Sequence, residues 1–153
     1  SHLSPLHGAM IASAVARGGE LTRPWMIDQV TDTSGEAVLV GGPHAWRRAV
    51  PAETAQGLAR MMLHSVSGGT AYRAFHDAAG RAFLPDVEVG GKTGTLTGAN
   101  PYRAYTWFVG NASHANTRVS FAVMVANGPS WRVKAATVAR QVLQVVFRGH
   151  ATD

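Results

Sequence analysis

The spacing of hydrophobic positions changes along this chain, and each change predicts an element. Near the N-terminus Leu6, Met10 and Ala14, flanked by Ile11 and Val15, recur at helical spacing. Ser4 before Pro5 is a helix start, with the hydroxyl as cap and the proline in the first turn. Gly18-Gly19 closes that helix. From Trp25 to Asp32 the residues read as a strand, Thr33-Ser34-Gly35-Glu36 as a turn, and Ala37 to Val40 as the return strand of a hairpin. Gly41-Gly42-Pro43 breaks the pattern. Pro51 opens a second helix, with Glu53 in the first turn, where the helix dipole favours an acid. Its predicted buried stripe is Leu58, Met61, Met62 and Val66. Gly68-Gly69 ends it, Thr70 to Phe75 adds one helical turn, and His76 to Gly80 reads as a loop.

The last third has strand character. Val87–Thr97, Ala104–Ala112 and Thr117–Ala126 are rich in β-branched and aromatic residues and are separated by turns at Gly98–Pro101 and Ser113–Asn116. Such short connections imply an antiparallel meander. Phe121 to Val125 is apolar on both faces, as in the middle of a sheet covered on both sides. Trp131 to Phe147 predicts a closing helix, with Ala135, Ala139, Val142 and Val146 turned to one side. The fold class is therefore α+β, an antiparallel sheet flanked by helices.

Composition narrows the function classes. The chain has 153 residues, which makes one domain or a large piece of one. Only 15% are charged, so much of the surface is expected to be covered. Cysteine is absent, which excludes disulfides and thiol chemistry. The net charge is +5, but the basic residues are scattered. That describes an ordinary basic surface, not a nucleic-acid face, and Trp46-Arg47-Arg48 reads as a solvated loop. His2, His7, His44, His64, His76, His114 and His150 have no metal-ligand spacing, and Ser113-His114 has no acid nearby in sequence to complete a triad. No metal and no cofactor is expected. No apolar run reaches 18 residues, so no transmembrane helix is predicted. Ser1-His2-Leu3-Ser4-Pro5 reads as if the chain begins mid-protein, with any membrane anchor upstream.

The chemistry concentrates in Gly90-Gly91-Lys92-Thr93-Gly94-Thr95-Leu96-Thr97. Lys92 is one of only two lysines, the other being Lys134. On a strand Lys92 and Gly94 turn to one face, and Thr93 and Thr95 to the other. Gly94 lets another molecule approach the backbone. A phosphate-binding loop would need a glycine five residues before Gly91 and a helix after the motif. Asp86 stands at that offset, and Gly94, Gly98 and Pro101 oppose a helix, which leaves nucleotide binding as a remote alternative.

Lys92-Thr93-Gly94-Thr95 resembles the Lys-Thr-Gly signature of the serine acyl-transferases that react with penicillin. Further stretches match in order. Ser4-Pro5-Leu6-His7-Gly8-Ala9 through Ala16-Arg17-Gly18-Gly19 resembles the family helix ending in Ala-Asn-Gly-Gly, and Arg23-Pro24 its next segment. Ser67-Gly68-Gly69-Thr70-Ala71 is similar to Val-x-x-Gly-Gly-Thr-Ala, and Trp107-Phe108-Val109-Gly110 to Ala-Trp-Phe-Val-Gly. The resemblance, to penicillin-binding protein transpeptidase domains, covers almost the whole chain.

It implies a peptidoglycan D,D-transpeptidase, or a D,D-carboxypeptidase, on the periplasmic side of the inner membrane. Such an enzyme forms a serine acyl-enzyme with D-Ala-D-Ala stem peptides and with β-lactams. A β-lactam sensor or inactive penicillin-binding module is the alternative. By resemblance Lys92 and Thr95 are the catalytic residues. Thr95 supplies an oxyanion-hole N–H, and Lys92 a positive charge that assists proton transfer. Thr93, Gly94, Thr95 and Thr97 are the substrate-binding residues. The nucleophile is missing: Val89 and Trp131 stand three residues before the two lysines, so no Ser-x-x-Lys exists, and no Ser-x-Asn either. The family places both upstream. Residues 1–153 therefore read as the C-terminal half of one transpeptidase domain, with helices and hairpin in 1–85 and strands and last helix in 86–150. A companion N-terminal half is expected to carry Ser-x-x-Lys and Ser-x-Asn. It is also expected to pair with the Thr117–Ala126 strand, which would otherwise be a bare edge.

Overall fold

The computed structural model describes residues 3–148. The elements run α1 (Pro5–Ala16), β1 (Glu20–Arg23), β2 (Gln29–Thr31), β3 (Ala37–Val40), β4 (His44–Arg48), α2 (Ala52–Ser67), α3 (Tyr72–Phe75), β5 (Glu88–Ala99), β6 (Tyr102–His114), β7 (Thr117–Asn127) and α4 (Ala135–Arg148). This is the α+β architecture that the pattern predicts. The domain boundary at 150 and His2 and His150 lie outside the described residues.

The main sheet is an antiparallel meander in the order β5-β6-β7. β6 is central, and β7 is an edge whose outer side pairs with no strand among the described residues. Its two apolar faces are still covered in part, because helices pack on both sides. On one face Phe108 is fully buried, with Phe75 and Phe121 each 5.6 Å away between ring centroids. Phe108 pairs across with Val123 and Gly110 with Phe121, so these side chains share that face. α4 covers it with Ala135, Ala136, Ala139, Leu143 and Phe147. The stripe predicted for this helix is rotated: Val142 is exposed, and Leu143 takes the buried place. The helix also starts four residues later than Trp131, because Asn127 fixes the approach. Its buried amide donates to the Val133 carbonyl at 3.0 Å and accepts from the Arg132 N–H at 3.3 Å.

On the opposite face, that of Val109 and Ala122, lies α1. Ser4 caps it, accepting from the His7 N–H at 3.2 Å. Its buried residues are Gly8, Ala12, Ala14 and Val15, whereas Leu6 and Ile11 face outward. The expected stripe therefore fails at its largest members. The helix sits so close to the sheet that a Cβ on Gly8 would lie 2.9 Å from the Ala122 Cβ, and only small side chains fit between. α2 behaves likewise. Met62 and Leu63 pack on Gly90, where an added Cβ would lie 3.1 Å from the Leu63 nitrogen, while Leu58 and Met61 are exposed.

The hairpin exists as β2–β3, but the strand predicted over Trp25–Asp32 is confined to Gln29–Thr31. The pairing of β1 with β4 had no local signal, since its partners are more than 20 residues apart. Arg48 anchors it by donating to the Gly18 carbonyl at 2.7 Å and pairing with Glu20 at 3.1 Å.

Candidate active site

The motif occupies the middle of β5, the other edge of the main sheet. In register, Lys92 faces Val109, Thr93 faces Phe108, Gly94 faces Trp107, Thr95 faces Thr106 and Thr97 faces Ala104. Lys92 and Gly94 therefore share one face and Thr93, Thr95 and Thr97 the other. β6 is a firm support. Thr106 is buried, accepts from the Ala135 N–H at 3.1 Å and donates to the Val125 carbonyl at 3.4 Å, which ties the strand behind Thr95 to the start of α4. The far side of β5 pairs with no strand among the described residues, so alternate backbone N–H and C=O groups of the motif strand point outward.

The glycines of the motif divide into two kinds. A Cβ on Gly91 would run into the Phe108 ring, and Gly90 carries the close approach of α2. Both are demanded by the core. A Cβ on Gly94 would meet only the Trp107 Cβ, at 3.5 Å, an ordinary contact. The packing of this chain does not require glycine at 94; it leaves clear backbone there.

Lys92 is exposed, and its Nζ donates to the Thr93 carbonyl at 2.6 Å. Thr93 is half-buried and its hydroxyl lies 2.8 Å from that of Thr70. Thr95 and Thr97 are exposed. All the residues read from the motif thus line one open strand. Thr70 joins them from the loop after α2; its signal in the sequence was the Gly-Gly-Thr-Ala stretch, read for likeness and not for position.

Other polar groups are accounted for elsewhere. His114 Nδ1 lies 2.6 Å from the Asp86 carbonyl, not from a carboxylate, so Ser113-His114 makes no triad. Among the described residues no group of three His, Asp or Glu side chains is placed to hold a metal ion, and no helix is long and apolar enough to cross a membrane. A cleft of about 580 Å³ between α1, α2 and the sheet includes Ser13, Arg17, Asn111 and Arg118 but none of Lys92–Thr95. β5 continues as strand to Ala99, with no helix after the motif, which removes the phosphate-loop reading.

Residues 1–144 match the family described as penicillin binding protein transpeptidase domain. The chain is 28% identical to Peptidoglycan D,D-transpeptidase PbpA of Mycobacterium tuberculosis, over 96% of its own length and 30% of the relative's. The protein of the same name from Mycolicibacterium smegmatis is 25% identical, over 82% and 24%. Among solved structures, the D,D-transpeptidase domain of a peptidoglycan glycosyltransferase from Eggerthella lenta superposes with a TM-score of 0.74 at 28% identity, covering 93% of this chain and 31% of that one. The imipenem acyl-enzyme of penicillin-binding protein A from M. tuberculosis gives 0.70 at 28% identity, covering 95% and 31%. The chain thus spans about 30% of the length of the curated M. tuberculosis relative. With the motif strand, its helical supports and a family match over nearly all its residues, this chain belongs to the penicillin-binding protein transpeptidase domain family.

Proposed function

We propose that this chain supplies the Lys-Thr-Gly wall of a peptidoglycan D,D-transpeptidase that forms a serine acyl-enzyme and is acylated by β-lactams. The observation that carries the proposal is the placement of Lys92–Thr95 on an open edge strand, with Gly94 free of any packing demand. A stem peptide laid along that edge gains backbone hydrogen bonds as an added strand. The Thr95 hydroxyl, with Thr93 beside it, binds the terminal carboxylate, and the Thr95 N–H donates to the oxyanion. One such donor is typically worth about 10²–10³ in rate. Lys92 adds positive charge next to the carboxylate and assists proton transfer; Thr97 extends the binding strand.

The serine comes from elsewhere, because no Ser-x-x-Lys or Ser-x-Asn is present. Residues 1–153 act as the C-terminal half of one transpeptidase domain, and a companion N-terminal half brings both signatures. The assembled site works on the extracytoplasmic side, where peptidoglycan is.

The test is labelling of the complete domain with a fluorescent penicillin. Wild type labels, and Lys92→Ala labels at least about 10-fold more slowly while remaining folded. No labelling of a wild-type domain that holds Ser-x-x-Lys, or labelling of Lys92→Ala at the wild-type rate, overturns the proposal. Turnover of a D-Ala-D-Ala peptide then separates the enzyme from a β-lactam sensor.

A further inference from the structure

Thr70 and Thr93 are 23 residues apart, yet their hydroxyl oxygens are 2.8 Å from each other. The chain fixes Thr70 from both sides. Gly69 lies against the last turn of α2, where a Cβ would be 2.8 Å from the Ser65 Cα, so no larger residue fits. Ala71 is buried, and its N–H donates to the Ser65 carbonyl at 2.9 Å. The Tyr72 N–H returns to the Gly69 carbonyl at 3.1 Å. Gly-Gly-Thr-Ala is thus a device that holds one hydroxyl against the motif strand.

A hydroxyl carries a single proton to donate and two lone pairs to accept with. In a pair of hydroxyls, therefore, one donates and the other keeps its proton for a third group. A carboxylate only accepts. If Thr93 is to donate to a carboxylate, Thr70 must donate to Thr93. We propose that Thr70 is a positioning residue for anion recognition: its proton goes to Thr93 Oγ1, and this commits the Thr93 O–H to the ligand carboxylate. The inference rests on the reading of Lys92–Thr95 as a carboxylate-binding wall.

The experiment compares acylation of the complete domain by benzylpenicillin, which bears a carboxylate, and by its methyl ester, which does not. Thr70→Val should lower the rate with the acid by about 3- to 10-fold and leave the ester within about 2-fold, because the hydroxyl–hydroxyl bond that orients the Thr93 proton toward the carboxylate is lost. Thr70→Ser should restore the acid rate. In a Thr93→Val background, Thr70→Val should have no further effect on the acid-to-ester ratio. Equal losses with acid and ester would assign Thr70 a packing role only, and an unchanged ratio would remove it from recognition; either result overturns the inference. A wild-type domain labelled by neither compound would instead overturn the proposed function. Should Thr70→Val fail to fold, the acid-to-ester ratio of Thr70→Ala decides by the same criteria.

Discussion

Gly91 lies against the ring of Phe108, so closely that a Cβ at 91 would be 2.6 Å from the Phe108 Cε2. The glycine before the motif lysine is a packing residue of the core, and the motif inherits its position from it. Gly91→Ala must push an aromatic ring that is itself fully buried. Overpacking of this kind typically costs about 1–3 kcal/mol. A denaturant midpoint for the complete domain that does not fall would contradict this account.

Gly94→Ala should behave in the opposite way. Its Cβ meets only the Trp107 Cβ at van der Waals distance, and alanine restricts the unfolded strand more than glycine does. Stability should stay within about 1 kcal/mol of wild type, while on the proposed reading acylation by penicillin should fall, because the new methyl would stand in the path of a ligand laid along β5. A stable variant with undiminished acylation would show that Gly94 does not mark the ligand's side.

The sequence conveyed the helices, the β2–β3 hairpin, the meander and the motif strand, since each rests on local period, turn chemistry or β-propensity; it missed β1 and β4, and Trp46-Arg47-Arg48, read as a solvated loop, belongs to β4. It misled on which side chains face inward. In α1 the large residues Leu6 and Ile11 dominate the periodic pattern, yet the buried line is Gly8, Ala12 and Val15. Closeness to the sheet selects small residues, and a rule that ranks positions by hydrophobic bulk picks the wrong face. In α4 the difference between Val142 and Leu143 is a single step around the helix. The β1–β4 pair and the Thr70–Thr93 contact were illegible for another reason: both join positions more than 20 residues apart. The residues read as catalytic and substrate-binding stand together on β5 because one strand carries them all.

Phe108 joins the motif strand to the core beneath α4. It pairs with Thr93 in register and stands between Phe75 and Phe121. Phe108→Ala should cost about 3–5 kcal/mol and loosen the motif strand as well as the core. Thermal unfolding should show the loss, and Phe108→Leu should recover most of it. A midpoint unchanged in the alanine variant would mean that the ring does not carry the packing assigned to it.

Acid should open the loop before β5. The Asp77 carboxylate accepts from the Arg81 N–H at 2.9 Å, the Arg81 guanidinium at 2.8 Å and the Ala79 N–H at 2.8 Å. The donation from Arg81, backbone first and side chain next, holds the Asp77 carboxyl below its usual value of 3.8. A carboxylate with a lowered folded pKa contributes stability above the unfolded value, and the contribution is lost as pH falls through the folded one. The Ala79 and Arg81 amides should therefore shift in NMR spectra only below about pH 4, and Asp77→Asn should give the low-pH spectrum at neutral pH. Shifts centred at or above pH 5 would assign the transition to another group.

β7 makes the last prediction, about the chain by itself. Its outer edge pairs with nothing among the described residues, Met124 on it is 42% exposed, and Leu6 and Ile11 on the covering helix are more than half exposed. An unpaired, apolar edge strand is a template for another chain. Purified without a companion half, the 153-residue chain should associate in a concentration-dependent way in light scattering coupled to gel filtration. Met124→Lys should reduce that association, because a charge at an edge opposes strand pairing. A monomeric, soluble chain that melts cooperatively would show that β7 needs no partner, and would count against a companion half seated beside it.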